Sequence, residues 1–504
     1  MGQIDSVGIV GAGAMGRGIA QIAAQAGLRV YLYDTAQPAL ASARDSLRDI
    51  WAKLVQKGKL EQSGADAALQ ALVLCEDLAQ LRDCDLVVEA IVERLDAKQA
   101  LFRQLEDIVG ETCILASNTS SLSITAIASA CRLPVRVAGY HFFNPVPLMK
   151  VVEVVDGLRS GPAVGDALTE LARRMGHTPV RVKDMPGFIV NHAGRGLNTE
   201  GLRILQEGVA NCAQVDAIMT GQAGFRMGPF ELMDLTGLDV SHPVMESIYR
   251  QFFDEPRFRP SPLATVRVAG GLLGRKTGQG FYSYADGRKQ VEPEAPPPSV
   301  PDLPEVWVSP ARPEGRAAVV ELLGRLGARV QEGDRPGEGA LIVVTPLGED
   351  ATTAVCAQGL DARRAVAVDT LHGLPEGRRR TLMATPLTAQ EWRDAAMARF
   401  AADGAPVTLI QDSPGFVAQR IVATIVNIAC EIAQQDIATP EDIDRAVTLG
   451  LGYPKGPLAM GDALGTARIV EILRNIVRVT GDMRYRPSLW LQRRAQLGMS
   501  LLDR

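Results

Sequence analysis

Asp412-Ser413-Pro414-Gly415-Phe416 restates Asp184-Met185-Pro186-Gly187-Phe188 at an offset of 228 residues. The same offset pairs Asp216 with Asp444, Gly224 with Gly452, Gly228-Pro229 with Gly456-Pro457, Asp234 with Asp462 and Gly237 with Gly465. An offset held without a gap over more than fifty residues marks a duplicated domain. Both copies open on Pro-Gly-Phe and continue in a helical apolar pattern, so two all-α domains are expected, at 184–285 and 411–504. The copies differ in equipment: Asn191 becomes Gln419 and Glu231 becomes Ala459. At 504 residues the chain exceeds one compact core. Residues 286–305 are proline-rich and read as a linker.

The first 183 residues read as an α/β domain built to hold a dinucleotide. Ser6 to Val10 is a short apolar strand, Gly11-Ala12-Gly13-Ala14-Met15-Gly16 follows at once, and an alanine-rich helical run continues to Ala26. Gly11 permits the turn, Gly13 lets backbone approach a pyrophosphate, Gly16 allows close helix–strand packing, and the helix N-terminus, with Ala14 and Met15, receives the negative charge. A second strand, Arg29 to Tyr33, ends on Asp34, an acid placed to accept from a ribose and to repel a 2′-phosphate. NAD is therefore expected rather than NADP. The strand Asp85 to Ala90 runs into Glu93 and Lys98 at the cofactor mouth, and the strand Cys113 to Ser117 closes on Asn118-Thr119-Ser120-Ser121. Lys53 and Lys57, four apart, share the face of an expected helix, with Lys59 beyond Gly58; taken alone they form a solvated face.

One stretch of this domain points to chemistry. An apolar run ends on His141, Asn144-Pro145-Val146-Pro147 interrupts it, and an alternating run resumes through Glu153. Antiparallel return about Pro147 sets His141 opposite Glu153. A carboxylate there fixes the tautomer of the imidazole and favours its protonated form, leaving the other ring nitrogen to trade protons with a substrate. The bland alternative is a plain hairpin with a surface His and Glu.

Residues 306–410 read as strand, helix, strand and strand, with no glycine fingerprint, and so as a shortened dinucleotide domain that has lost cofactor and chemistry. At the 228 offset His141 falls on Asp369, Asn144 on His372 and Glu153 on Thr381. A net charge of −5 without a dense basic run argues against nucleic acid as partner. No apolar stretch reaches membrane-spanning length, and seven scattered cysteines without a C-x-x-C pair suit a reduced, cytoplasmic protein with no metal site.

Seven segments in order resemble the L-3-hydroxyacyl-CoA dehydrogenase family: GAGAMGRG at 11–18, VVEAIVER at 87–94, SNTSSL at 117–122, HFFNPVPLMKVVEVV at 141–155, DMPGFIVN at 184–191, FRMGPFELMDLTGLDV at 225–240 and GRKTGQGFY at 274–282. The resemblance implies NAD-dependent oxidation of an L-3-hydroxyacyl-CoA. It implies His141 as acid and base, Glu153 as its partner, Ser120 and Asn191 on the C3 oxygen, and Asn144 ordering the site. It also implies Glu93 and Lys98 near the nicotinamide half of NAD, and one or more of Lys53, Lys57 and Lys59 on coenzyme A phosphates. Family members pair through the helical domain, so an intrachain pseudo-dimer is expected here, with homo-oligomerisation of whole chains as a further expectation. The duplicated layout is similar to dehydrogenases of bacterial phenylacetate breakdown acting on 3-hydroxyadipyl-CoA, with a short-chain thioester second. Two competing readings are a dehydrogenase of a free hydroxy or sugar acid and a non-enzymatic nucleotide-binding protein. The expected architecture is a Rossmann-like domain (1–183), an all-α domain (184–285), a linker (286–305), a degenerate α/β segment (306–410) and a second all-α domain (411–504).

Overall fold

Apolar runs of four to six residues, each cut off by glycine or a polar turn, build an eight-stranded sheet in the N-terminal half. Its strands are β1 (Ser6–Val10), β2 (Arg29–Tyr33), β3 (Leu72–Cys75), β4 (Leu86–Glu89), β5 (Ile114–Ser117), β6 (Val137–Phe142), β7 (Val151–Asp156) and β8 (Thr178–Lys183). The order is β3-β2-β1-β4-β5-β6-β7-β8, parallel throughout except for the β6–β7 hairpin. Strands covered by helices on both faces are apolar without alternation, as Leu86-Val87-Val88 shows. The computed structural model describes residues 2–290 and 292–504, and the chain divides into two compact units.

The first unit runs to His192 and also takes in Gln435–Leu451. Trp51 and Leu47 of helix Gln37–Gln56 lie buried with Ile9, Val30 and Leu32 in its core. Helix Ala14–Gln25 meets β1 so closely that a Cβ on Gly16 would overlap the Gly11 carbonyl oxygen. The last strand, β8, does not end in solvent. Helix Pro440–Leu451 packs on it and on β7, the Lys183 amide donates to the Ile437 carbonyl at 2.8 Å, and the Lys183 ammonium meets Asp436 at 2.6 Å. Covering an edge strand in this way removes a template for aggregation.

The second unit comprises Ala193–Gln434 and Gly452–Arg504. The helix expected after Phe188 is interrupted at Gly194, giving Val190–Ala193 and Arg195–Gln206, whereas its repeat after Phe416 runs unbroken as Ala418–Gln434. The expected linker is shorter at its start than its proline content suggested, because Arg288–Gln290 pairs with Ser283–Ala285 as hairpin β9–β10. Lys289 anchors the hairpin by ion pairing with Glu231 and lying over the Tyr282 ring.

Residues 306–410 hold more structure than strand, helix, strand and strand. Six strands are present: β11 (Val306–Val308), β12 (Val330–Gln331), β13 (Leu341–Val344), β14 (Ala365–Val368), β15 (Arg380–Ala384) and β16 (Val407–Ile410). Their order is β12-β11-β13-β14-β15-β16, with β14–β15 antiparallel and β15–β16 parallel, as in β6-β7-β8. The 228 offset carries β6, β7 and β8 onto β14, β15 and β16. The duplication therefore extends upstream of the helical repeat that first reveals it.

Helix Arg195–Gln206 packs along Ala418–Gln434, and a Cβ on Gly196 would stand 3.2 Å from the Ile425 Cα. Inside that contact Glu200, fully buried, receives Arg420 at 2.9 Å, Arg484 at 2.8 Å and the Tyr485 hydroxyl at 2.8 Å. Arg420 reaches on to Glu207 at 2.7 Å. A buried charge with this many partners is tolerable; one left alone is not.

Candidate active site

The carboxyl ends of β1, β4, β5 and β6 converge on one side of the first sheet, where open α/β sheets bind ligands. Gly13 is the N-cap of helix Ala14–Gln25 and supplies no side chain to cap it, so the first turn is left open to an anion. Asp34, just past β2, accepts from the Ala12 amide at 2.7 Å and the Ala36 amide at 2.9 Å, fixing the glycine turn to the neighbouring strand end. A carboxylate has further lone-pair sites with which to receive a ribose hydroxyl. Loop, helix end and acid thus fit a dinucleotide.

Beyond β4 a buried ionic lock orders the loop after β5. Lys98, 1% exposed, meets Glu89 at 2.5 Å and Glu93 at 3.2 Å. Glu89 also accepts from the Ser117 hydroxyl and the Ile91 amide, each at 2.7 Å. Glu93 gathers the Asn118–Ser121 loop, accepting from the Thr119 hydroxyl at 2.6 Å, the Ser120 amide at 2.9 Å and the Ser121 amide at 3.1 Å. Burial alone would push the Glu93 carboxyl up, but the Lys98 ammonium and these hydrogen bonds hold it below the usual glutamate range.

The hairpin has the expected register: His141 pairs with Glu153. His141 Nδ1 stands 2.6 Å from Glu153 Oε2, while Glu153 Oε1 accepts from the Ile189 and Val190 amides, both at 2.8 Å. Glu153 is fully buried and His141 is 5% exposed, between the rings of Phe143 and Phe188. His141 Nε2 makes no hydrogen bond to the described residues. The Phe142 amide donates to Asn118 at 2.8 Å, tying the serine loop to the hairpin, and the Asn191 amide group approaches the Ser120 carbonyl at 3.5 Å. An imidazole with one free nitrogen, a hydroxyl and a carboxamide are thereby gathered within one unit.

Other expected residues make no side-chain bond to this cluster. Asn144 is exposed, three residues past His141, and its side chain bonds to none of the described residues. Lys53 is on helix Gln37–Gln56 and Lys57 is its C-cap, one turn on, with its amide donating to the Lys53 carbonyl at 3.1 Å; Lys59 follows the turn at Gly58. All three lysines are exposed and without side-chain partners among the described residues. In the sequence Glu89 has no role of its own, and Asn118 and Asp184 stand only as members of a polar cluster and of the repeat. Asp184 caps helix Ile124–Ala128 through the Ile124 and Thr125 amides at 3.0 and 2.7 Å. An acid closing an apolar strand, as Glu89 does, was the available signal. No group of three or more His, Cys, Asp or Glu among the described residues is arranged to hold a metal ion.

The second sheet carries the same hairpin with different chemistry. Asp369 and Thr381 occupy the positions of His141 and Glu153, with the Asp369 amide donating to the Thr381 carbonyl at 3.0 Å. The Asp369 carboxylate accepts from the Gln222 and Gln419 carboxamides, both at 2.9 Å, and Gln222 also receives the Thr381 hydroxyl. The Asp369 carboxylate is thus held on both sides by carboxamides, where the first hairpin sets an imidazole against a carboxylate.

Comparison with known proteins follows the same division. The 3-hydroxyacyl-CoA dehydrogenase NAD binding domain profile matches residues 6–185, and that of the 3-hydroxyacyl-CoA dehydrogenase C-terminal domain matches 187–284 and 415–500. The chain is 38% identical to the 3-hydroxyadipyl-CoA dehydrogenase of Escherichia coli (strain K12) over 98% of each protein. It is 39% identical to the mitochondrial hydroxyacyl-coenzyme A dehydrogenase of Sus scrofa over 56% of this chain and 91% of that one. The crystal structure of 3-hydroxybutyryl-CoA dehydrogenase from E. coli K12 superposes with a TM-score of 0.85 at 36% identity, covering 98% of this chain and 99% of the other.

Proposed function

We propose that this chain, which belongs to the 3-hydroxyacyl-CoA dehydrogenase family, performs its acid–base chemistry on the hairpin of β6 and β7. The protein is an NAD-dependent oxidoreductase that converts a 3-hydroxyacyl-CoA into the 3-oxoacyl-CoA. NAD, when bound, supplies the hydride acceptor. His141 takes the C3 hydroxyl proton on Nε2 and returns it in the reverse direction. Glu153 holds the proton on Nδ1 and offsets the charge of the imidazolium as it forms. Ser120 and Asn191 donate to the C3 oxygen, and Asn144 helps order the same pocket. The observation that carries this reading is the 2.6 Å pair of His141 and Glu153, whose other oxygen is anchored by two backbone amides.

The backbone of Gly11, Gly13, Ala14, Met15 and Gly16 receives the pyrophosphate, and Asp34 a ribose hydroxyl. Glu93, locked by Lys98, borders the nicotinamide half. Lys53, Lys57 and Lys59, exposed and unpaired among the described residues, are available to coenzyme A phosphates. The acyl chain is that of 3-hydroxyadipyl-CoA, or in second place a short 3-hydroxyacyl chain, a choice supported by the name and full-length match of the E. coli relative. The helical copies form an intrachain pseudo-dimer about helices Arg195–Gln206 and Ala418–Gln434. Seven cysteines that form no disulfide suit a cytoplasmic setting.

NADH formation from 3-hydroxyadipyl-CoA, 3-hydroxybutyryl-CoA and the two free 3-hydroxy acids tests this assignment. Turnover of the thioesters, fastest with the adipyl derivative, is expected. Turnover confined to a free acid would overturn it, and preference for the butyryl derivative would reverse the acyl assignment.

A further inference from the structure

The second sheet keeps an opening where the first receives its ligands. Beyond the carboxyl ends of β11, β13 and β14 lies a cavity of about 610 Å³, lined by Arg312, Pro313, Leu347, Thr370, Arg468 and Glu471 among others. That volume is within the range of about 300–1,000 Å³ usual for small-ligand pockets, and the strand-end position is where open α/β sheets bind ligands.

Two polar side chains at this cavity have no partner among the described residues. Thr370 is 7% exposed, lines the cavity, and its hydroxyl has no hydrogen-bond partner among the described residues. Arg468 has neither ion pair nor hydrogen bond there, and its Nε is buried without a partner. A buried donor left unmet is costly, so a cavity that keeps one beside an unpartnered hydroxyl suits a ligand that brings an acceptor. Helix Pro313–Arg325 starts at the rim with no side-chain cap, which adds an open turn of positive potential.

The charges limit what can enter. Arg312 and Glu471 hold each other through two hydrogen bonds, and Glu314 is exposed at the rim. Arg468 and the helix end are what is left for a ligand. No glycine stands between β11 and the helix, where Ser309-Pro310-Ala311-Arg312 runs instead, so a pyrophosphate has no backbone cradle. We propose that this cavity binds a small organic anion bearing one carboxylate or one phosphate monoester, held by Arg468, Thr370 and the N-terminus of helix Pro313–Arg325. The degenerate unit would then serve as an effector site, separate from the redox chemistry and independent of the roles given to His141 and Glu153.

The test is calorimetric titration of the full chain, saturated with NAD, with adenosine 5′-monophosphate and with propionate. One molar equivalent of at least one of them is expected to bind; the monophosphate alone would mark a phosphate site, propionate alone a carboxylate site. Arg468→Gln should weaken binding by about tenfold or more. Thr370→Val should weaken it as well and serves if the arginine variant does not fold. The rate of NADH formation without effector should be unchanged in both. Failure of both ligands to bind at up to about 10 mM, or equal affinity in wild type and both variants, would overturn the proposal.

Discussion

Among single residues, Glu153 has its bonds already spent while His141 keeps Nε2 without a partner among the described residues. Glu153 uses both oxygens, one on His141 and one on the Ile189 and Val190 amides. Glu153→Gln keeps the shape but places an amide N–H against a donor on one side or the other. It should lower kcat by about a hundredfold with little change in the KM for NAD, read by steady-state kinetics. Glu93 provides a pH test. Its folded-state carboxyl lies below its ordinary value of 4.5, so its contribution to stability is complete above 4.5 and is lost as pH falls through the folded value. The difference in thermal stability between wild type and Glu93→Gln should therefore stay constant from neutral pH down to 4.5 and shrink below it. Lys98→Met removes the ammonium that holds this carboxyl down, and should move the loss to higher pH.

Among elements, the hairpin was legible and the ionic lock was not. A turn centred on Pro147 and a period of two on each side are enough to set His141 against Glu153, because strand pairing has one register for a given turn. Nothing local announces that Glu89, in an apolar strand, faces Lys98 nine residues later, since the meeting depends on where the helix after β4 packs. Likewise β15 and β16 are short, and their apolar runs are no longer than those of a buried helix turn. They are recognised only when the 228 offset is laid over β7 and β8. The interruption at Gly194 had no distinguishing periodicity either, as both copies continue in helical pattern. The contact between helices Arg195–Gln206 and Ala418–Gln434 makes a stability prediction. Glu200→Ala leaves Arg420 and Arg484 buried beside each other without their shared carboxylate, and should cost about 3 kcal/mol or more, measured by chemical denaturation.

For the whole molecule, duplication has produced two hairpins of one register with different side chains. The first hairpin pairs an imidazole with a carboxylate; the second holds Asp369 between Gln222 and Gln419. The second copy still has structural work in the first unit, where residues 435–451 cover β7 and β8. A fragment ending near residue 290 loses that cover and the partner of helix Arg195–Gln206. It should self-associate or precipitate, as judged by light scattering after size exclusion; a soluble, active, monomeric fragment would contradict the intrachain pseudo-dimer. Single-turnover NADH formation with His141→Ala, beside NAD titration of the same variant, tests whether His141 moves the proton while the nucleotide site stands apart from it. A rate lower by about 10²–10⁴-fold with NAD affinity intact is expected. A variant that forms NADH at the wild-type rate would contradict it.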